Sequence, residues 1–154
     1  MLETTNSSEL MIWFVLLRIG LGALWIRSGL EKVMKRDYLA FDEKLRRFAS
    51  NNPILWYKTF LERYLIPNSL PAGYFFVTSE VVLGAALVLG FLTVPAAIIA
   101  SVFNINFRLA AGWQSPSNTP LNYLMILCQL LVIAAGAGGH LSLDALLYTT
   151  GTGG

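Results

Sequence analysis

Four apolar runs, each near the ~20 residues that cross a bilayer core, constrain this chain more than any motif in it. They cover residues 11–34, 72–91, 94–112 and 121–137. Outside them too little polar sequence is left to clothe a water-soluble globule. Of the 154 residues, 55% are hydrophobic and 13% charged, and the mean hydropathy is +0.59; a soluble domain carries about a quarter charged residues. The expected fold class is therefore all-α, an integral membrane four-helix bundle. A cytosolic enzyme and a nucleic-acid binder are excluded, and a net charge of +2 does not call for a polyanionic partner.

A single cysteine, Cys128, and a single histidine, His140, exclude an intramolecular disulfide, a CxxC redox pair, a Cys/His zinc cluster and a bis-histidine haem within this chain. No metal site is expected, and redox chemistry would have to borrow a cofactor or a partner. Residues 1–10 contain Glu3 and Glu9 and no basic residue, so they lack the positive region of a cleaved signal peptide, and the first run is expected to stay in the mature protein. Pro71, Pro95 and Pro120 stand at or near first helical turns, where the missing N–H costs nothing. Only residues 92–94 separate the second run from Pro95, which makes the second and third helices an antiparallel hairpin. Trp13, Tyr74, Trp113 and Tyr123 lie near span ends, where amphipathic rings favour the headgroup layer.

Residues 35–69 form the one sizeable polar stretch and hold seven of the eleven basic residues. Tyr38, Phe41, Leu45 and Phe48 recur at helical spacing opposite charged positions. After a break at Asn51, Asn52 and Pro53, the set Ile54, Tyr57, Leu61 and Tyr64 repeats the pattern. The spacing predicts amphipathic interfacial helices over 38–49 and 54–65, inserted between the first and second spans. The concentration of Lys and Arg puts this first loop on the cytoplasmic side. Residues 149–154 read as a frayed tail.

A charge at mid-membrane costs ~2.5–3.5 kcal/mol on insertion scales, so it faces the bundle interior and has a partner. Glu80 lies about 13 Å into the second span counted from Pro71, and Arg18 about 10 Å from the opposite surface counted from Met11. Arg18 and Glu80 are accordingly expected to pair between the first two helices. Arg18, Gly22, Trp25, Gly29 and Lys32 share one stripe whose glycines admit a neighbouring backbone. Arg27 and Glu31 lie opposite, at ion-pair spacing. Asn104 and Arg108 share a face of the third helix, and Gln129 sits near the middle of the fourth. Arg18, Glu80, Asn104, Arg108 and Gln129 are the candidate buried polar site. Interhelical hydrogen-bonding glue and a ligand site explain this layer equally well, and no catalytic residue is assigned. His140 reads as an interfacial hydrogen-bonding residue and Cys128 as an apolar filler. The glycines from Gly136 to Gly139 fit a helix end rather than a phosphate loop.

The arrangement resembles the DoxX family, with its DoxD-like members: small four-helix membrane proteins related to the small subunit of thiosulfate:quinone oxidoreductase. The resemblance is carried by Arg18, Gly22, Gly29 and Lys32, by Glu80, Gly84 and Gly90, by Thr93 and Pro95, and by Gly136, Gly138, Ser142, Leu143 and Asp144. It implies a bacterial inner membrane and a membrane subunit of a quinone-linked redox system. Quinone would then be a borrowed cofactor, held by an apolar cleft and a few polar groups. A non-enzymatic accessory or assembly subunit, docking a larger complex through the surface helices, is the alternative. A redox or membrane-complex partner and a homo-oligomer both stay open beside the lipid bilayer. A transporter is disfavoured because four helices make a narrow bundle without an inverted repeat.

Overall fold

The computed structural model describes residues 2–114 and 119–151, and every regular element in them is helical. Helix α1 (Leu2–Met34) is the longest, at 33 residues. A surface insertion follows, made of α2 (Phe41–Ser50), α3 (Leu55–Phe60) and a π-helical turn (Leu61–Leu65). Helices α4 (Ser69–Leu89), α5 (Thr93–Ala111) and α6 (Thr119–Ala134) complete the bundle. A 3₁₀ turn (Ala137–Gly139) and α7 (Leu143–Gly151) close the described chain.

Three helices are long and apolar enough to cross a membrane, over Glu9–Met34, Ser69–Leu89 and Thr93–Ala111. Helix α6 is apolar but has only 16 residues, about 24 Å, so as the fourth member it is shorter than the ~30 Å hydrocarbon core. The fourth run, expected to reach 137, breaks after Ala134, where Gly136 takes φ +62° and turns the chain into the 3₁₀ segment. Of residues 149–154, expected to fray, 149–151 belong to α7 and 152–154 lie outside the described residues. In the insertion, α2 begins at Phe41 rather than at Tyr38, which lies in the preceding turns and stacks on Tyr74 at 4.5 Å. The second interfacial helix is α-helical only to Phe60 and then underwinds into the wider π turn.

The bundle closes most tightly between antiparallel α1 and α4. A β-carbon on Gly22 would lie 2.6 Å from the Gly84 carbonyl oxygen, and one on Gly84 would lie 2.7 Å from that of Gly22. Two backbones approach this closely only where neither carries a side chain. The core beside this contact is Leu21, Trp25, Leu83, Leu87, Ala97, Ala100, Phe103 and Val132. Outward positions on the same helices, such as Leu16, Phe75, Val82, Ile98 and Leu124, are half exposed or more, as lipid-facing residues are.

A second cluster of Leu45, Ala49, Tyr57, Leu61 and Ala110 seats the insertion on the end of α5. Asn52 pins it by donating to the Leu109 carbonyl at 3.0 Å, and Gln114 donates back to the Arg47 carbonyl at 2.7 Å. Burial pushes the Tyr57 hydroxyl up to about 12. The insertion thus covers the end of the bundle formed by the close of α1 and α5 and the start of α4 and α6.

Candidate functional site

Helix register decides which charges meet. Gly29 faces Val81 and Glu80, Gly22 faces Gly84 and Val88, and Arg18 faces Gly90. Glu80 therefore lies level with the turn from Ser28 to Lys32, about 16 Å along α1 from Arg18. The expected Arg18–Glu80 pair does not form. Counting both residues from the predicted span ends assumed flush helix ends, whereas α1 runs on well beyond the end of α4.

Glu80 is 1% exposed, and its carboxylate instead accepts from Lys32 Nζ and from the Ser28 hydroxyl at 3.2 Å. Lys32 also lies over the Phe107 ring, 5.1 Å from its centroid. Phe107 packs with Trp25, Phe76 and Phe103 in one aromatic cluster between α1, α4 and α5. An ammonium against an aromatic face and a carboxylate is fully matched at a depth where an unmatched charge would be costly. The stripe reading of α1 had already put Lys32 on the inward face; Ser28 and Phe107 carried no signal of their own.

Beside this pair, a cavity of about 260 Å³ opens between α1, α5 and α6. Leu24, Trp25, Phe107, Leu121 and Met125 line it, with Ser28, Lys32, Asn104 and Asn122 as its polar groups. Leu24 and Leu121 at its edge are 51% and 55% exposed, so the mouth gives onto lipid. Trp25 lines the cavity, while its Nε1 is buried within the protein without a hydrogen-bond partner. Ser28 and Asn104 direct their donors to Glu80, Ala100 and Gln129, so the Lys32 ammonium and the Asn122 side chain are the polar groups left on this wall to meet a ligand's carbonyl oxygen.

Asn104 joins the cavity to a second polar layer. Its side-chain amide donates to the Ala100 carbonyl at 3.1 Å and lies 3.4 Å from Gln129 Oε1, which also sits 2.8 Å from the Ser101 hydroxyl. Gln129 Nε2 is a further buried donor without a partner. Of the five candidate residues, Asn104 and Gln129 meet each other, Asn104 shares a cavity wall with Lys32, the partner of Glu80, and two stand elsewhere. Arg108 donates through Nε to the Tyr123 hydroxyl at 2.6 Å on the insertion side and does not reach the layer. Glu31 binds Lys35 at 2.5 Å rather than Arg27, and both Arg27 and Glu31 face outward.

Arg18 organises the opposite end. Fully buried, its guanidinium donates to the carbonyls of Ala137 (2.7 Å), His140 (3.3 Å) and Leu141 (2.7 Å), clamping the chain after α6. Asp144 completes the clamp by accepting from the amides of Leu92 (2.7 Å) and Thr93 (2.9 Å) at the start of α5. Burial alone would push the Asp144 carboxyl up, but those amides and the Arg18 charge outweigh it and hold the group below its ordinary value. His140 takes part through its backbone carbonyl.

Helices long and apolar enough to span lipid, an internal ion pair and an apolar cavity at the membrane face define a small integral membrane protein with a cavity in its bundle. Among the described residues no group of His, Cys, Asp and Glu could hold a metal ion. The chain belongs to the DoxD family: residues 13–151 match the family described as TQO small subunit DoxD. Comparison with curated proteins and with solved structures finds no match.

Proposed function

We propose that this chain is the membrane subunit of a thiosulfate:quinone oxidoreductase-like system and that its lipid-facing cavity receives the quinone ring. The observation that carries this is the cavity of about 260 Å³, whose otherwise apolar walls carry the Lys32 ammonium and the Asn122 side chain. These residues fit a quinone: the aromatic wall takes the ring, the donors take its carbonyl oxygens, and the mouth between Leu24 and Leu121 lets an apolar tail trail into lipid. Quinone, when bound, supplies the two-electron acceptor this chain lacks. The chain's own part is to hold the ring, exclude water and keep Lys32 poised beside it. Electrons come from a partner subunit that oxidises thiosulfate. The Lys- and Arg-rich insertion faces the cytoplasm of a bacterial cell in this assignment.

Titration of the purified protein with decylubiquinone tests this directly, because Trp25 lies in the wall. Saturable fluorescence quenching is expected in the native protein and is expected to be lost in Trp25→Phe. Quenching that is absent, or indifferent to Trp25, removes quinone binding. A second reading, an accessory or assembly subunit that docks a larger complex, is favoured by the exposure of Leu55 and Trp56 on the insertion. A stoichiometric partner retained in mild detergent, without co-purifying quinone, would select it.

A further inference from the structure

A second, more enclosed cavity of about 160 Å³ lies beneath α2, on the other side of Lys32 and Phe107 from the first. Four charged side chains line it, Lys32, Glu80, Asp37 and Lys44, with Phe76 and Phe107. Lys32 and Phe107 are shared by both cavities, and Ser28, which hydrogen-bonds Glu80, lines the larger one. At the outer rim Asp37 and Lys44 pair at 2.5 Å with side chains 27% and 32% exposed. The backbone holds this rim in place. Arg36 adopts φ +53°, and the Asp37 amide returns to donate to the Lys32 carbonyl at 2.9 Å, folding the acid over the end of α1.

Resting on the quinone assignment, we propose that this smaller cavity is the proton inlet of the quinone site. Reduction of a quinone to a quinol takes two electrons and two protons. The electrons come from thiosulfate through the partner subunit, and the lipid mouth supplies no protons. Among the described residues Lys32 is the one titratable side chain lining the larger cavity, so protons reach a ring oxygen there through Lys32 or the Ser28 hydroxyl. Glu80 contacts both and lines the smaller cavity together with Asp37. A proton taken from water at Asp37 crosses to Glu80 and is passed on at Lys32 or Ser28. Each donor is reprotonated from the rim, so after two transfers the side chains return to their starting state and two protons have left the insertion-side water.

The test uses the complex with its partner, thiosulfate as reductant and decylubiquinone as acceptor. Asp37→Asn is expected to lower kcat about tenfold or more and to raise the solvent deuterium effect on kcat. KM for the quinone and the Trp25 quenching should stay within about twofold, and Asp37→Glu should recover most of the rate. Glu43→Gln, on the exposed side of α2, controls for altered surface charge and should behave as the native protein. Native kcat and isotope effect in Asp37→Asn, with quenching intact, would overturn the inlet and leave the quinone site standing. A raised KM with unchanged kcat would also overturn it, reducing Asp37 to an anchor of the insertion. Failure of the native protein to show quenching would instead bring down the quinone assignment on which the inlet rests.

Discussion

Arg18 and Glu80 are equally hidden yet do different physical work. Arg18 meets neutral carbonyls and ties down a chain reversal, whereas Glu80 meets a cation and a hydroxyl beside a cavity. Gly90 shows how demanding the first of these is. Its φ of +66° suits glycine, and a β-carbon there would press on Ser142 and stand 2.6 Å from Arg18 Nη1. Gly90→Ala is therefore expected to destabilise by about 2 kcal/mol or more, combining the left-handed backbone cost with loss of the guanidinium's seat. A fall in the thermal midpoint in detergent with the helical signal retained would report it; an unchanged midpoint would contradict the packing at this turn. At Glu80 the removal of one partner strands the other. Glu80→Gln and Lys32→Met should each cost about 1–3 kcal/mol, less than for a fully dry pair because the Lys32 side chain is 33% exposed. The double variant should recover part of that loss. Additive losses in such a cycle would show that the two charges are not coupled.

Among the elements, α5 is held at its start by a residue from the far end of the chain. The amides of Leu92 and Thr93 lack partners within the helix, and Asp144 supplies them across a separation that no local spacing reveals. Because this carboxyl lies below its ordinary 3.8 in the folded protein, folding favours its ionised form. Its stabilisation is full above that value and is lost as pH falls through the depressed folded value. The difference in thermal midpoint between native protein and Asp144→Asn should thus be widest near neutrality and shrink below pH about 4. A gap independent of pH would mean that the side chain's shape, not its charge, caps the helix. The helices themselves were legible in the sequence, because apolar length, proline at first turns and the glycine stripe are local signals. Their relative heights were not. An offset between two helices depends on how far each runs past its lipid-facing part, and α1 runs far past the end of α4. That offset exchanged the expected partner of Glu80 for Lys32, a residue already on the correct face, and sent Arg18 to the carbonyls after α6. Arg108 stands apart for a related reason: at the end of its helix the long side chain turns toward Tyr123.

At the scale of the whole molecule, the two ends of the bundle are built for different tasks. The end with α7 is closed by Arg18 and Asp144, while the end under the insertion holds both cavities and the Lys32–Glu80 pair between them. The larger cavity opens sideways past Leu24 and Leu121, so the proposed quinone would arrive from the hydrocarbon phase, where the hydrophobic effect concentrates it. Lengthening the tail of a quinone should then lower its apparent KM mainly through partition into the membrane, leaving kcat unchanged. Leu121→Trp, which adds bulk at the mouth without touching Lys32 or Glu80, should raise KM for a long-tailed quinone by about tenfold, an effect of about 1.4 kcal/mol, while hardly altering the thermal midpoint. A ring without a tail should feel the substitution least, since it needs only the inner part of the cavity. If Leu121→Trp weakened tailed and tailless quinones alike, the ligand would be entering by another route, and the passage between α1 and α6 would be only a packing seam.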